Sequence, residues 1–106
     1  MNGTVRNLLT ELRTGLAALY GARLRGVYLY GSYARDEADR ESDVDVLVVL
    51  DHVTHYAAEV ECTGPLVSTL SLQYGVSISR VFVSEQDWAG HKTPFLANVR
   101  DEAVPT

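Results

Sequence analysis

A glycine-serine pair, followed after ten residues by two aspartates that flank a valine, constrains this chain more than any other feature. The pair is Gly31-Ser32, and the aspartates are Asp43 and Asp45. The second motif opens into the apolar run 46–50, which predicts a strand that is covered on both faces. Because side chains alternate along a strand, the two aspartates point the same way, with α-carbons about 6.5–7 Å apart. The sequence therefore predicts two convergent carboxylates at the start of a central strand.

The chemistry of these residues favours a magnesium-nucleotide site. Magnesium prefers carboxylate oxygens, and substrate phosphate and water usually complete its octahedron. Phosphate oxygens can approach the bare backbone of Gly31, while Ser32 offers a hydroxyl and an amide at the start of a turn. Arg35 adds a positive charge near the same phosphates, so Gly31, Ser32 and Arg35 form the predicted phosphate cradle. Asp43 and Asp45 are the predicted metal ligands and catalytic residues of a nucleotidyl transfer.

Length and composition set broader limits. The 106 residues, 46% hydrophobic and 22% charged, predict one globular domain over residues 1–106. The formal net charge of −5 argues against a nucleic-acid binder. Four arginines could still form a basic patch near the site: Arg23, Arg25, Arg35 and Arg40. No apolar run is long enough for a membrane span and no signal-peptide block is visible, so we expect a cytoplasmic protein without a membrane partner.

Hydrophobic periodicity and turn residues predict the order α-β-turn-β-α-β-α, a small α/β unit. The predicted helices span residues 5–20 and 55–74, with a cap at Ser84 and a last short helix within 93–106. The predicted strands span residues 24–30, 43–50 and 76–83. On the second helix, Pro65 predicts a kink or a junction of two helices. The candidate core positions of that helix are Tyr56, Val60, Val67, Leu70 and Tyr74.

The two motifs resemble the signature of the DNA polymerase β-like nucleotidyltransferase superfamily, which is Gly-Ser, ten residues, then Asp-x-Asp. The matching segments are residues 29–35 and 42–48, and the spacing agrees. Within the superfamily, the short chain is similar to the minimal nucleotidyltransferase (MNT) domains. The resemblance implies a nucleotidyltransferase fold of the α/β (α+β) class, with a small mixed β-sheet, mainly antiparallel, flanked by helices.

The resemblance also implies an activity and a partner. It implies transfer from ATP, with Ser32 on the nucleotide phosphate and with Asp43 and Asp45 on Mg²⁺. MNT proteins are often encoded beside an all-helical HEPN-domain protein. In such pairs the HEPN protein is a toxic ribonuclease, and the MNT protein is an antitoxin that transfers AMP onto a tyrosine of the toxin. We therefore expect a nucleoside triphosphate and a HEPN-domain protein as partners. The resemblance leaves open whether the chain also forms a homo-oligomer.

One departure from the family pattern leaves catalysis open. Active members carry a third acidic residue on the next strand, where this chain has Ser77 and Ser79. A hydroxyl is a poor magnesium ligand and cannot act as a general base at neutral pH. Three glutamates could replace the missing acid in space: Glu59, Glu61 and Glu85.

Two other functions follow from that departure and from the family. The first alternative is a catalytically degenerate relative that binds nucleotide or neutralises its partner by direct contact. The second is modification of a small molecule, as in the aminoglycoside nucleotidyltransferases. Because those enzymes use an additional helical domain, the second alternative is the weaker one.

Overall fold

A four-stranded mixed sheet with helices on both faces is seen in the computed structural model, which describes residues 2–90 and 93–106. In chain order the elements are helix α1 (Gly3–Tyr20), a 3₁₀ turn (Gly21–Arg23), strand β1 (Leu24–Tyr30), strand β2 (Val44–Leu50), helix α2 (Tyr56–Tyr74), strand β3 (Ile78–Ser84), helix α3 (Glu85–Gly90), helix α4 (Pro94–Glu102) and strand β4 (Val104–Pro105). The fold is therefore the predicted mixed sheet flanked by helices.

Strand β2 lies inside the sheet, whose strand order is β3-β2-β1-β4. It runs antiparallel to β1 and parallel to β3, and β4 runs antiparallel to β1. The parallel step from β2 to β3 is possible because α2 forms the crossover between them. The prediction that the strand after Asp43 is central and covered on both sides is confirmed.

The two faces of β2 enter different parts of the core. On one face, alternate residues pack with α1 and α2: Val44, Val46, Val48 and Leu50. On the other face, Leu47 and Val49 pack with Trp88, Leu96 and Val99 from α3 and α4. Asp45 shares this second face by strand alternation. It therefore lies at the end of the sheet face that α3 and α4 cover.

Helix α1 begins two residues before its predicted start at Val5 and ends at the predicted Tyr20. The side chain of Asn2 accepts a hydrogen bond from the amide of Val5 at 2.8 Å, which satisfies one of the free amides of the first turn. Gly21 ends the helix with a φ of 56°, a value that a residue with a side chain rarely adopts. Along the helix Leu8, Leu12 and Leu16 are fully buried.

Helix α2 corrects two sequence-based expectations. It is continuous through Pro65, so the alternative of two helices meeting there is wrong. Val67 and Leu70 are buried as predicted, and Tyr74 packs partly against the same cluster. Tyr56 and Val60, however, are 45% and 37% exposed, so these two core assignments are wrong.

A polar network explains why the buried face of α2 differs from the face that the sequence predicts. Glu59 and Thr63 occupy the inward positions. The carboxylate of Glu59 accepts hydrogen bonds from the hydroxyl of Tyr20 and from Arg23, each at 3.0 Å. Because a carboxylate with hydrogen-bond partners can be buried, Glu59 takes the inward position that hydrophobicity alone assigns to Val60.

The last part of the chain holds an element that the sequence did not predict. Helix α4 begins as expected, with the Thr93 hydroxyl accepting from the amide of Leu96 at 3.1 Å. After the helix, Val104 and Pro105 pair with Leu29 and Tyr28 and add β4 to the edge of the sheet. This pairing brings the end of α4 close to the end of β1.

Candidate functional site

The glycine-serine bend and the second aspartate lie next to each other. In the β1–β2 register Tyr30 is the partner of Asp45, so Gly31 follows directly at the end of the ladder. A methyl group built on the α-carbon of Gly31 would collide with Oδ2 of Asp45 and lie 3.1 Å from its Cγ. The structure thus brings together the two motifs that are twelve residues apart in the sequence.

The bend itself is a succession of backbone turns. Gly31 has a φ of 76°, and its carbonyl accepts the amide of Arg35 at 3.1 Å. The carbonyl of Ser32 accepts the amide of Glu37 at 2.8 Å. Asp36 has a φ of 61° and so adopts a backbone conformation that favours glycine. The turn predicted to start at Ser32 is therefore present as a series of hydrogen-bonded turns.

The two aspartates differ in exposure and influence each other. Asp43 is exposed just before β2, whereas Asp45 is half-buried within the strand. Burial is the main cause that raises the pKa of Asp45, and the negative charges of Asp43 and Glu102 raise it further, while Arg35 opposes them. Negative charge at Asp45 is therefore disfavoured in the protein alone, and a bound cation would relieve this penalty.

Glu102, a residue that the sequence analysis did not single out as functional, also lies at the bend. Its Oε2 accepts the backbone amide of Gly31 and Nη1 of Arg35, both at 2.8 Å. Arg35 also pairs with Glu37 at 3.2 Å. The arginine that was predicted to hold phosphate is thus bound to two carboxylates.

The strand on which the resemblance implies a third acid carries Ser77 and Ser79 beside the aspartates. The parallel register pairs Ser79 with Asp45. The carbonyl of Ser77, just before β3, accepts the amide of Val44 at 2.9 Å, which brings this serine alongside the first aspartate. A hydroxyl, that of Ser79, therefore stands at the register position where a carboxylate would complete the predicted metal site.

None of the three candidate glutamates replaces that carboxylate. Glu59 is bonded to Tyr20, and its helix packs on the face of the sheet opposite to Asp45. Glu61 is exposed on the same helix. Glu85 lies 3.5 Å from Arg25, which stands near the start of β1 rather than its end.

Two of the four arginines of the predicted basic patch lie away from the bend. Arg23 and Arg25 lie at the start of β1, which is about 20 Å from the bend at its end, since a strand rises about 3.3 Å per residue. Arg23 is bound to Asp51 and Glu59. The expectation that these two arginines lie near the site is therefore wrong, and Arg35 is the arginine that contacts the bend.

The donor set fits a magnesium ion that shares its ligands with a substrate. Within 2–90 and 93–106 no group of three or more His, Cys, Asp or Glu side chains is arranged to hold a metal ion. The candidate ligands are therefore two carboxylates, Asp43 and Asp45, at the start of β2. Since magnesium typically keeps water and binds one or two carboxylates plus substrate phosphates, this set suits a magnesium-nucleotide complex better than a resident ion.

In the part of the chain that the structure describes, the helices are too short or too polar to cross a bilayer.

Comparison with known proteins identifies the family. The model of a family described as "Nucleotidyltransferase domain" matches residues 9–91. A protein of Methanocaldococcus jannaschii, which carries the provisional name of protein adenylyltransferase, is 33% identical over 90 residues; the match covers 79% of this chain and 84% of that relative.

Solved structures agree with the family model. A structure described provisionally as a minimal nucleotidyltransferase superposes with a TM-score of 0.64 at 26% identity, covering 97% of this chain and 93% of the other. A toxin-antitoxin complex crystallised with AMP-PNP shares the fold, with a TM-score of 0.60 at 20% identity over 89% of this chain and 68% of the other. This chain therefore belongs to the nucleotidyltransferase domain family and is a domain of the minimal type.

Proposed function

We propose that this chain is a magnesium-dependent nucleotidyltransferase that transfers AMP from ATP to a tyrosine of a HEPN-type toxin, and so acts as its antitoxin. The proposal treats residues 1–106 as one minimal domain that works in the cytoplasm. The observation that carries it is the contact between the bend at Gly31 and the carboxylate of Asp45. A phosphate held at this bend would lie within reach of a cation bound by the aspartate.

Each site residue then has a chemical role. Asp43 and Asp45 would hold Mg²⁺, which when bound neutralises charge on the α-phosphate. The amide of Gly31 and the groups of Ser32 would hold phosphate oxygens, because a side-chain-free bend lets them approach the backbone. Arg35 would release its carboxylate partners and add a positive charge to the same oxygens.

The transfer itself is an in-line displacement. The phenol oxygen of the acceptor forms a bond to the α-phosphorus, and the bond from that phosphorus to the bridging oxygen of the β-phosphate breaks. Pyrophosphate leaves with the electron pair of the broken bond, and the phenol proton passes to water. The chain's own residues bind and orient the reactants, which is the main source of catalysis in phosphoryl-type transfers.

The comparisons support a protein as acceptor and a toxin as partner. The archaeal relative is named a protein adenylyltransferase, which favours a side chain over a small molecule. The structural neighbour is a toxin-antitoxin complex with AMP-PNP, an analogue of ATP. The small domain also leaves the bend and the aspartates at an open edge, where a second protein could supply the tyrosine.

The experiment is a transfer assay with the full chain. The purified protein is incubated with ATP labelled on the α-phosphate, magnesium and, as the candidate HEPN-type partner, the protein encoded beside it. We expect label on that protein, and peptide mass spectrometry should place one AMP on a tyrosine. Because outer-shell partners of a metal already contribute 10–100-fold, loss of a direct ligand in Asp43→Asn or Asp45→Asn should reduce labelling by about 100-fold or more.

Glu61→Gln is the matched control, since it removes an exposed negative charge from α2. It should label the partner as the parent chain does. Equal labelling by the parent chain and by both aspartate variants would contradict the proposal.

Direct neutralisation of the partner without transfer is the second candidate. It is favoured by the serine at position 79 beside Asp45, where a third carboxylate is absent. The two functions differ in their need for ATP. Stoichiometric inhibition of the partner's ribonuclease activity in the absence of nucleotide would support simple binding.

A further inference from the structure

Glu102 holds two of the groups that the proposed function assigns to substrate phosphate. Its Oε2 atom accepts both the amide of Gly31 and a guanidinium N–H of Arg35, each at 2.8 Å. These distances are those of short, charge-assisted hydrogen bonds. A single carboxylate oxygen thus takes the position that a phosphate oxygen would need at the bend.

The two occupants exclude each other at the backbone amide. Gly31 offers one N–H, and a well-aligned hydrogen bond satisfies one acceptor at a time. The side chain of Glu102 is 24% exposed, whereas that of Glu37, the other partner of Arg35, is 64% exposed. Glu102 is therefore held within the site, and Glu37 makes a surface contact.

The backbone keeps Glu102 at this position. The amide of Ala103 donates to the carbonyl of Val99 at 2.8 Å, which closes the last turn of α4 around Glu102. Val104 then pairs with Leu29, two residues before Gly31. This pairing, over the two residues of β4, fixes the segment that carries Glu102 beside the bend.

We propose that Glu102 is a built-in competitor of the substrate's polyphosphate at the Gly31 bend. A nucleotide binds only when this carboxylate has left the amide of Gly31 and the guanidinium of Arg35. The inference rests on the proposed function, because the competing anion is the polyphosphate of a nucleotide. It goes beyond that function because it assigns an inhibitory role in nucleotide binding to Glu102, the last residue of α4.

The test compares the affinity of the full chain and its variants for two probes by calorimetry. The probes are magnesium-ATP and magnesium with inorganic tripolyphosphate. Glu102→Gln should bind both more tightly, by about five-fold or more, because apparent affinity rises as the open state becomes more populated. Glu102→Asp should show a similar gain, since it keeps the charge but is too short to reach the same two donors.

Two controls separate occupation of the site from general charge. Asp101→Asn removes an exposed charge from the adjacent position of α4 and should change both affinities by less than about two-fold. Glu37→Gln frees Arg35 from one partner but leaves the amide of Gly31 occupied, so its gain should be smaller than that of Glu102→Gln. In an amide NMR spectrum, the Gly31 signal should move on Glu102→Gln substitution and move again when tripolyphosphate is added.

The outcomes distinguish this inference from the proposed function. Tighter binding of both probes to Glu102→Gln, without AMP transfer to any partner, would leave the competition supported and overturn the proposed function. Unchanged affinities in chains that do transfer AMP would overturn the competition alone. Weaker binding by Glu102→Gln would also overturn it, and would make Glu102 a contributor to the metal site. Failure of every variant to bind tripolyphosphate would overturn the anion site and the competition together.

Discussion

The carboxylate of Asp45 and the α-carbon of Gly31 lie so close together that no side chain fits between them. A methyl group on that carbon would lie 3.1 Å from Cγ of Asp45 and closer still to Oδ2. Gly31 also has a φ of 76°, in the left-handed region. Two separate causes therefore require glycine at this position, and one of them depends directly on the aspartate.

Replacement of Gly31 by alanine should affect both stability and activity. The strained backbone should lower the free energy of unfolding by about 1–3 kcal/mol. The added methyl group should also push the Asp45 carboxylate away from the bend and so reduce AMP transfer by about 100-fold, as expected when a catalytic geometry shifts by about 1 Å. Urea unfolding and the labelling assay measure the two effects.

Gly75→Ala provides the matched control. Gly75 ends α2 with a φ of 65°, and a methyl group there would meet no atom within 4 Å. Both variants should lose stability through the positive φ, and Gly31→Ala should lose more because of its contact with Asp45, but Gly75→Ala should keep its activity. A Gly31→Ala protein that transfers AMP as well as Gly75→Ala would contradict the assignment of Asp45 to the site.

A third carboxylate at position 79 should strengthen metal binding. Ser79 is the register partner of Asp45 on the neighbouring parallel strand, so Ser79→Asp adds an acid beside the two existing ones. Without metal the variant should be less stable, because three negative charges then share one edge. With magnesium-ATP we expect about ten-fold tighter metal binding and recovery of the lost stability, since a ligand that binds only the folded state stabilises it.

Ser68→Asp is the control for added charge, because Ser68 is exposed on α2. Its stability should respond little to magnesium. Thermal unfolding with and without magnesium-ATP measures the comparison. If magnesium stabilises Ser79→Asp no more than the parent chain, position 79 does not face the metal.

The sequence predicted well what depends on neighbours along the chain. Strand β1, Leu24–Tyr30, has the predicted bounds, with period-two alternation from Val27 to Tyr30 and a register shift between Leu24 and Gly26. The contact between Gly31 and Asp45 was also predictable, since two strands joined by a short polar segment commonly pair with each other. Local pattern thus sufficed for the two motifs and for the pair of strands, β1 and β2, that joins them.

The sequence did not predict contacts between distant segments. Glu102 is 71 residues from Gly31, and the strand that brings it there has two residues, one of them proline. Such a strand carries no alternation, and its pairing depends on the edge that β1 offers. The exposure of Tyr56 was missed for a similar reason, because the charge of Glu59 is satisfied by groups outside its own helix.

The stability of the protein should depend on pH through Asp45. Burial and the charge of Asp43 raise the pKa of Asp45 in the folded state. Between the ordinary carboxyl pKa and this raised pKa, the folded state binds more protons than the unfolded state, so stability falls as the pH rises through this window. Above the window, Asp45→Asn should be more stable than the parent chain, and below the window the difference should vanish.

Urea unfolding from about pH 3 to about pH 7 spans this window. Asp43→Asn tests whether the charge of Asp43 contributes to the raised pKa of Asp45. Removal of this charge should narrow the pH range over which stability falls, but burial of Asp45 should keep part of that range. Parallel stability curves for the parent chain and Asp45→Asn at every pH would contradict the prediction.

Tyr20→Phe should destabilise the fold without affecting the site. The hydroxyl of Tyr20 donates to Oε1 of Glu59 at 3.0 Å, and both side chains are buried. Loss of a hydrogen bond to a charged group should cost about 1.5–3 kcal/mol. The bond belongs to the face of the sheet opposite to Asp45, so AMP transfer under folding conditions should stay within two-fold of the parent chain, on the order of ordinary surface effects.

Tyr56→Phe is the comparison that tests whether the destabilisation by Tyr20→Phe comes from the charge of its hydrogen-bond partner, Glu59. The hydroxyl of Tyr56 accepts the amide of Phe82 at 3.2 Å, a bond between neutral groups on a tyrosine that is 45% exposed. Its loss should cost about 0.5–1.5 kcal/mol, less than that of Tyr20→Phe. Equal losses in urea unfolding would show that the Glu59 carboxylate does not depend on Tyr20, and that Arg23, at 3.0 Å from Oε2, suffices to keep it buried.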